Sequence, residues 1–258
     1  MTGLEALTGL PAAMLWAGAV VFFRVGAVLA VLPGLGEQSI PVRVRLVLAL
    51  ALTVIAAPAV TAAHTFPEPG LGTVARLVLT EVVAGLALGL ALRLMVMALQ
   101  IAGSIAAQAT SLSQLLGGAA GEPLPTIGHI LTVAGLALLM LTGLHVKAAA
   151  LLILSYDLLP IGLFPDPASV GQWGRAAASQ AFILGFTLAA PFVLISVLYN
   201  LTLGVINRAM PQLMVALVGA PLITFGAIAL LAITAPYLLQ VWLDAVDRVI
   251  ANPFAVVR

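Results

Sequence analysis

Arg24, Glu81, Arg93 and the pair His145 and Lys147 each interrupt a long apolar run. On insertion scales a charge at the centre of a membrane helix costs roughly 2.5–3.5 kcal/mol, so such residues face protein or water and rarely lipid. Two chemistries fit them. One is a relay for ions or protons; the other is a buried partner where two helices meet. Glu81 and Arg93 share a helix but do not pair with each other. Their separation in sequence sets them roughly 18 Å apart along the axis and about 120° apart around it. Each therefore needs a partner elsewhere, in this chain or in another subunit.

A second group is polar without being charged throughout. Ser196, Asn200, Gly204 and Arg208 follow one another at spacings of four, with Asn207 beside them. They read as a polar stripe down one side of a helix. Such a stripe suits the wall of a pore or substrate path. It equally suits a row of interhelical hydrogen bonds, worth about 0.6 kcal/mol each in membranes. Gly85 and Gly89 form a GxxxG step, and Gly26, Ala30 and Gly34 a similar stripe earlier in the chain. Small residues at this spacing let helix backbones approach closely.

Enzymatic chemistry finds no such foothold. The chain has no HExxH, GxSxG, Walker A or GxGxxG context. His64, His129 and His145 are far apart with no ligand spacing, and there is no cysteine to form a disulfide, a thiolate metal site or a nucleophile. Asp157 and Asp166 lie in a Pro-rich stretch and read as solvated. Met95, Met97, Met210 and Met214 read as packing. No catalytic residue, cofactor or metal is expected.

The elements that position these residues are membrane helices. Hydrophobic residues make up 63% of the 258 and charged residues 7%, against about 25% charged in a soluble domain. That cannot cover a water-facing surface. The net charge of +1 offers no basic face for nucleic acid. The first ten residues hold Glu5 and no Lys or Arg, so the N-terminus does not read as a cleavable signal. The expected fold is all-α, an integral membrane protein with about six long apolar helices. They are placed at residues 11–32, 44–60, 74–107, 127–154, 175–206 and 211–246. The second is short for a full span; the third and fifth are longer than a bilayer needs. Pro191 is expected to kink the fifth, and Pro221 and Pro236 the sixth. Residues 33–41 and 64–70 are turn-rich breaks. Residues 108–126 and 156–173 are long connections, of the length that is usually functional or disordered. Arg76, Arg175, Arg248 and Arg258 on one side balance Arg43, Arg45 and Arg208 on the other, so the positive-inside rule does not orient the chain.

Ordered blocks of residues resemble the FliR family of flagellar type III export-gate proteins over almost the whole length. They begin with Phe23-Arg24, Pro33-Gly34-Leu35-Gly36 and Ile40-Pro41-Val42-Arg43-Val44-Arg45. Glu81, Gly85 and Gly89 follow, then Gly103 and Gln108, Gly143-Leu144-His145, Ser155-Tyr156 and Pro160-Ile161-Gly162. The last block is Asn207-Arg208-Ala209-Met210-Pro211-Gln212 with Gly219-Ala220-Pro221-Leu222.

The resemblance implies a subunit that assembles with FliP-like and FliQ-like proteins, with FlhB and FlhA associated. Together they would form the pore through which unfolded flagellar subunits leave the cytoplasm. It would sit in the bacterial inner membrane at the flagellar basal body. The resemblance also implies a FliP-like part over residues 1–170, followed by a FliQ-like helical hairpin over 171–258. The loop at about 108–126 would project into the pore as part of its closure, with Leu112, Leu115, Leu116, Gly117 and Gly118 as plug candidates. Arg24, Glu81, Arg93 and Arg208 become candidates for buried charges that serve assembly. The chain departs from the family pattern at Thr110, at Gly117-Gly118-Ala119-Ala120, and at Leu213, Ala216 and Ile223. The equivalent subunit of a virulence injectisome is an alternative. A stand-alone small-solute transporter built on the 196–208 stripe is another.

Overall fold

The structure is a computed structural model and describes residues 11–37, 39–111, 126–210 and 215–254. Among the described residues it contains seven helices. They are α1 (Ala12–Val31), α2 (Val42–Ala63), α3 (Leu71–Ser111), α4 (Thr126–Leu141), α5 (Leu144–Leu158), α6 (Pro167–Ala209) and α7 (Val215–Ala251). Helix is the only answer open to such sequences in a bilayer, because lipid offers the backbone no hydrogen-bond partner. Helices α1 and α2, of 20 and 22 residues, match the hydrocarbon thickness of about 30 Å. The 41 residues of α3, 43 of α6 and 37 of α7 make helices of about 55–65 Å, roughly twice that thickness.

The structure corrects the expected segments at several points. The apolar run 127–154 is two helices, bent by 73° between α4 and α5. Gly143 makes the break with φ of 82°, a left-handed conformation that glycine adopts without steric cost. Helix α2 runs on through Pro58 to Ala63 and is long enough to cross a membrane. Helix α3 extends to Ser111, so the connection placed from residue 108 starts later.

Helix α6 also begins at Pro167, well before Arg175. Asp166 accounts for this. Its Oδ2 accepts hydrogen bonds from the Ser169 N–H and from the Ser169 hydroxyl, both at 2.8 Å. That is an N-cap followed by proline at the first helical position. These bonds hold the Asp166 carboxyl below its ordinary range. A depressed carboxyl stabilises the fold above its unfolded pKa and loses that contribution as pH falls through the folded value. Asp166→Ala should therefore give a small fall in melting temperature at neutral pH that disappears in strong acid. A pH-independent difference would show that the cap does not act through the carboxylate.

The chain divides into two compact units. The first comprises Met1–Arg93, Leu139–Ala176 and Asp247–Arg258. Its core is built from Val21, Val25 and Val28 of α1, Leu77, Leu88 and Leu92 of α3, and Leu144, Leu151 and Leu152 of α5. The ends of α6 and α7 are fastened inside it. Trp173 Nε1 donates to the Pro253 carbonyl at 2.8 Å, and its ring meets Phe254 edge-on at 5.4 Å. Lys147 pairs with Asp247.

The second unit comprises Leu94–Leu138 and Ala177–Val246. Trp242 is fully buried in it and donates from Nε1 to the Met95 carbonyl at 2.7 Å. Helices α3 and α4 cross there at two glycines. A Cβ built on Gly103 would lie 2.0 Å from the Gly128 Cα.

Candidate functional site

Arg24 lies in the middle of α1 and Glu81 in the third turn of α3. Each is a charge that the sequence leaves without a partner, and they are each other's partner. Arg24 Nε donates to Glu81 Oε2 at 2.8 Å, with the side chains 1% and 0% exposed. The rest of the guanidinium is also engaged. Nη1 donates to the Ser155 hydroxyl at 3.1 Å and Nη2 to the Leu159 carbonyl at 2.8 Å. The Tyr156 ring covers its face, with Cζ 3.7 Å from the ring centroid. The second oxygen of Glu81 accepts the Gly162 N–H at 3.2 Å. Gly162 has φ of +71°, which a side chain would strain. One ion pair thus ties α1 and α3 to the end of α5 and to the turn that follows it.

The GxxxG step sets the spacing that this pair requires. A Cβ at Gly85 would stand 2.5 Å from the Arg24 carbonyl oxygen and 2.7 Å from the Ala27 Cβ. At Gly89 it would stand 2.9 Å from the Val28 oxygen. Gly85 and Gly89 therefore face α1 of the same chain, directly beside the ion pair. Gly26 has nothing within 4 Å, so it takes no part in this crossing. Gly34 lies in the turn after α1, with φ of +79°.

Arg93 has its own partner within the chain. Its Nη1 meets Glu37 Oε1 at 2.5 Å, with the side chains 31% and 29% exposed. Arg45 donates from Nη2 to the carbonyls of Glu37 and Ile40, at 3.0 and 3.4 Å. The turn between α1 and α2 is pinned from both sides. Gly36 is needed there, because a Cβ would come within 2.8 Å of the Leu29 and Leu32 oxygens.

This geometry favours the structural role over the relay. Every nitrogen of the Arg24 guanidinium and both oxygens of Glu81 are held by fixed contacts within the chain. His145 is exposed. Among the described residues no three His, Asp or Glu lie close enough to hold a metal ion.

The polar stripe on α6 is brought together only at Ser196 and Asn200. Ser196 is buried and its hydroxyl donates to the Ala109 carbonyl at 2.5 Å. Asn200 turns back on its own helix, donating to the Ser196 carbonyl and hydroxyl at 2.9 and 3.2 Å. Gly204 and Arg208 are exposed. Each step of four residues turns by about 40° around a helix, so Ser196 and Arg208 point about 120° apart. Leu112, Leu115, Leu116, Gly117 and Gly118 lie outside the described residues.

Ser155, Tyr156, Leu159 and Gly162 as ligands of the ion pair were not foreseen. Their only signal is that most of them fall in the ordered blocks that carry the family resemblance. The clamp on Arg24 joins residues 57 to 135 positions apart, a distance at which no local pattern links them.

Fold and site together define a polytopic helical membrane protein whose buried charges serve its own packing. The profile of the bacterial export proteins, family 1, matches residues 15–249, and the chain belongs to that family. Its relatives include the flagellar biosynthetic protein FliR of Caulobacter vibrioides, 34% identical over 231 residues that cover 89% of this chain and 92% of the relative. FliR of Escherichia coli K12 is 31% identical over 216 residues, 83% of this chain and 82% of the relative. FliR of Aquifex aeolicus is 32% identical over 215 residues, 81% and 82% of the two chains.

Proposed function

We propose that the chain is a subunit of the flagellar protein-export gate, set in the bacterial inner membrane at the basal body. The observation that carries this reading is the family match over residues 15–249, nearly the full length. In this reading it assembles with FliP-like and FliQ-like subunits, with FlhB and FlhA associated, around the path of unfolded flagellar proteins. Its contribution is structural rather than catalytic: Arg24, Glu81 and Arg93 hold helices in register. Residues 1–170 form the FliP-like part and 171–258 the FliQ-like hairpin. That division falls beside the Asp166 cap, where α6 begins. The flagellar branch is favoured over an injectisome because the curated relatives carry flagellar names.

A mild-detergent pull-down of the tagged chain, expressed with its genomic neighbours and read by native mass spectrometry, tests the assignment. The expected result is a large assembly with two other small membrane proteins. A lone chain or a simple homo-oligomer overturns it. The pore-closing role of the 108–126 stretch has a separate test. Deleting residues 114–121 should leave the complex assembled but make cells leak small ions. An assembled deletion complex in a tight membrane rejects that role.

A further inference from the structure

Ser196 stands at the end of an otherwise apolar face of α6. Ala181, Leu188, Ala189 and Phe192 are buried along that face, and Ser196 follows at 3% exposure. The face packs on α3. A Cβ built on Gly185 would stand 2.8 Å from the Ile101 Cγ2 and 3.1 Å from the Ala98 oxygen. Further along, the Ser196 hydroxyl donates to the Ala109 carbonyl. All of these residues belong to the second unit.

Serines and threonines inside helices often bond back to a carbonyl of their own helix. Ser104 on α3 does so to Gln100, and Thr187 and Thr202 on α6 do so to Ile183 and Leu198. Ser196 instead reaches across to a second helix. Asn200 accounts for the direction. Its Nδ2 donates to the Ser196 hydroxyl oxygen at 3.2 Å. That occupies a lone pair and leaves the hydroxyl proton for Ala109. In a site of low dielectric such a bond is strong, and it is directional where apolar packing is not.

The carbonyl it holds is two residues from Ser111, the last residue of α3. The stretch 112–125 comes next, and the chain returns in α4, where Gly128 packs against Gly103. Both flanks of the stretch are thus fastened inside one unit. The returning flank is held by backbone contact and the departing flank by an oriented hydroxyl. We infer that Ser196, aligned by Asn200, is a positioning residue for this stretch: its bond to Ala109 sets the direction in which α3 delivers the chain into it. The inference rests on the pore-closing reading of residues 108–126.

The test uses the chain in its native complex and compares wild type, Ser196→Ala, Ser196→Cys and the 114–121 deletion. Three quantities are read: complex yield, amide hydrogen exchange over residues 105–111, and ion leak in cells. Ser196→Ala should assemble at the wild-type yield, exchange several-fold faster over 105–111, and leak several-fold more than wild type. Ser196→Cys keeps the shape with a weaker donor and should fall between the two. If Ser196→Ala fails to assemble, Asn200→Ala carries the same comparison, since it leaves the hydroxyl in place without its orienting bond. Wild-type exchange over 105–111 without the hydroxyl overturns the inference. So does a loosened α3 end in a tight membrane when the deletion leaks. A tight membrane in the assembled deletion complex rejects the pore-closing reading instead, and the exchange rates then decide by themselves whether Ser196 anchors α3.

Discussion

Arg24→Ala should destabilise the protein by about 3–5 kcal/mol, the cost of leaving a buried ionised partner alone. Glu81 would then keep only the Gly162 N–H, in a site with 0% exposure. Glu81→Ala should cost as much, since it strands a guanidinium that is 1% exposed. Arg24→Lys should recover only part of the loss. An ammonium is a point charge without the planar fork, and it cannot reach Glu81, Ser155 and the Leu159 carbonyl together. The double variant Arg24→Met with Glu81→Leu should regain most of it, because apolar replacement of a whole buried pair is often neutral or better. Thermal unfolding in detergent, with complex yield beside it, gives the answer. Wild-type melting in both single alanine variants would show that these charges are hydrated.

The second large effect comes from adding a single carbon atom at a helix crossing. Gly85→Ala places a methyl against the backbone of α1, and Gly103→Ala places one 2.0 Å from the Gly128 Cα. Neither obstacle is a flexible side-chain tip, so the helices themselves must separate. Overpacking of this kind costs about 1–3 kcal/mol and sometimes more. For Gly85→Ala the separation would also stretch the Arg24–Glu81 contact nearby. Gly26→Ala is the matched control. It sits on a helix with nothing within 4 Å, and the gain in helix propensity, up to about 1 kcal/mol, should leave it neutral or slightly more stable. If Gly85→Ala and Gly26→Ala melt alike, helices α1 and α3 do not cross as closely as described.

Much of this was readable before any coordinates. Apolar runs of bilayer length dictate helices, and the cost of buried charge says that Arg24 and Glu81 must find partners. Which partners was not readable, because pairing across 57 residues depends on how α1 and α3 cross. The GxxxG step hinted at such a crossing without saying against which helix. The early start of α6 was readable and missed: Asp166-Pro167 followed by Ser169 is a helix start, but the surrounding prolines suggested a loop. Gly143 stands out in the sequence only within the Gly143-Leu144-His145 block. Hydropathy averages over single residues, so one glycine could split an apolar run unseen. The α6 stripe divides for a geometric reason. Four residues exceed one helical turn, and the excess accumulates until Ser196 is buried and Arg208 is not.

The Arg24 clamp also imposes an order on synthesis. Glu81 is made 57 residues after Arg24; at about 5–20 residues per second that is a delay of roughly 3–11 s. The Leu159 carbonyl comes 135 residues after Arg24. During that interval α1 carries an arginine whose solvation the finished protein supplies entirely from segments not yet synthesised. Helix α1 therefore cannot settle in its final place as it emerges. It must be held where a lone guanidinium is tolerated, at the lipid headgroups or within the insertion machinery, until α3 arrives.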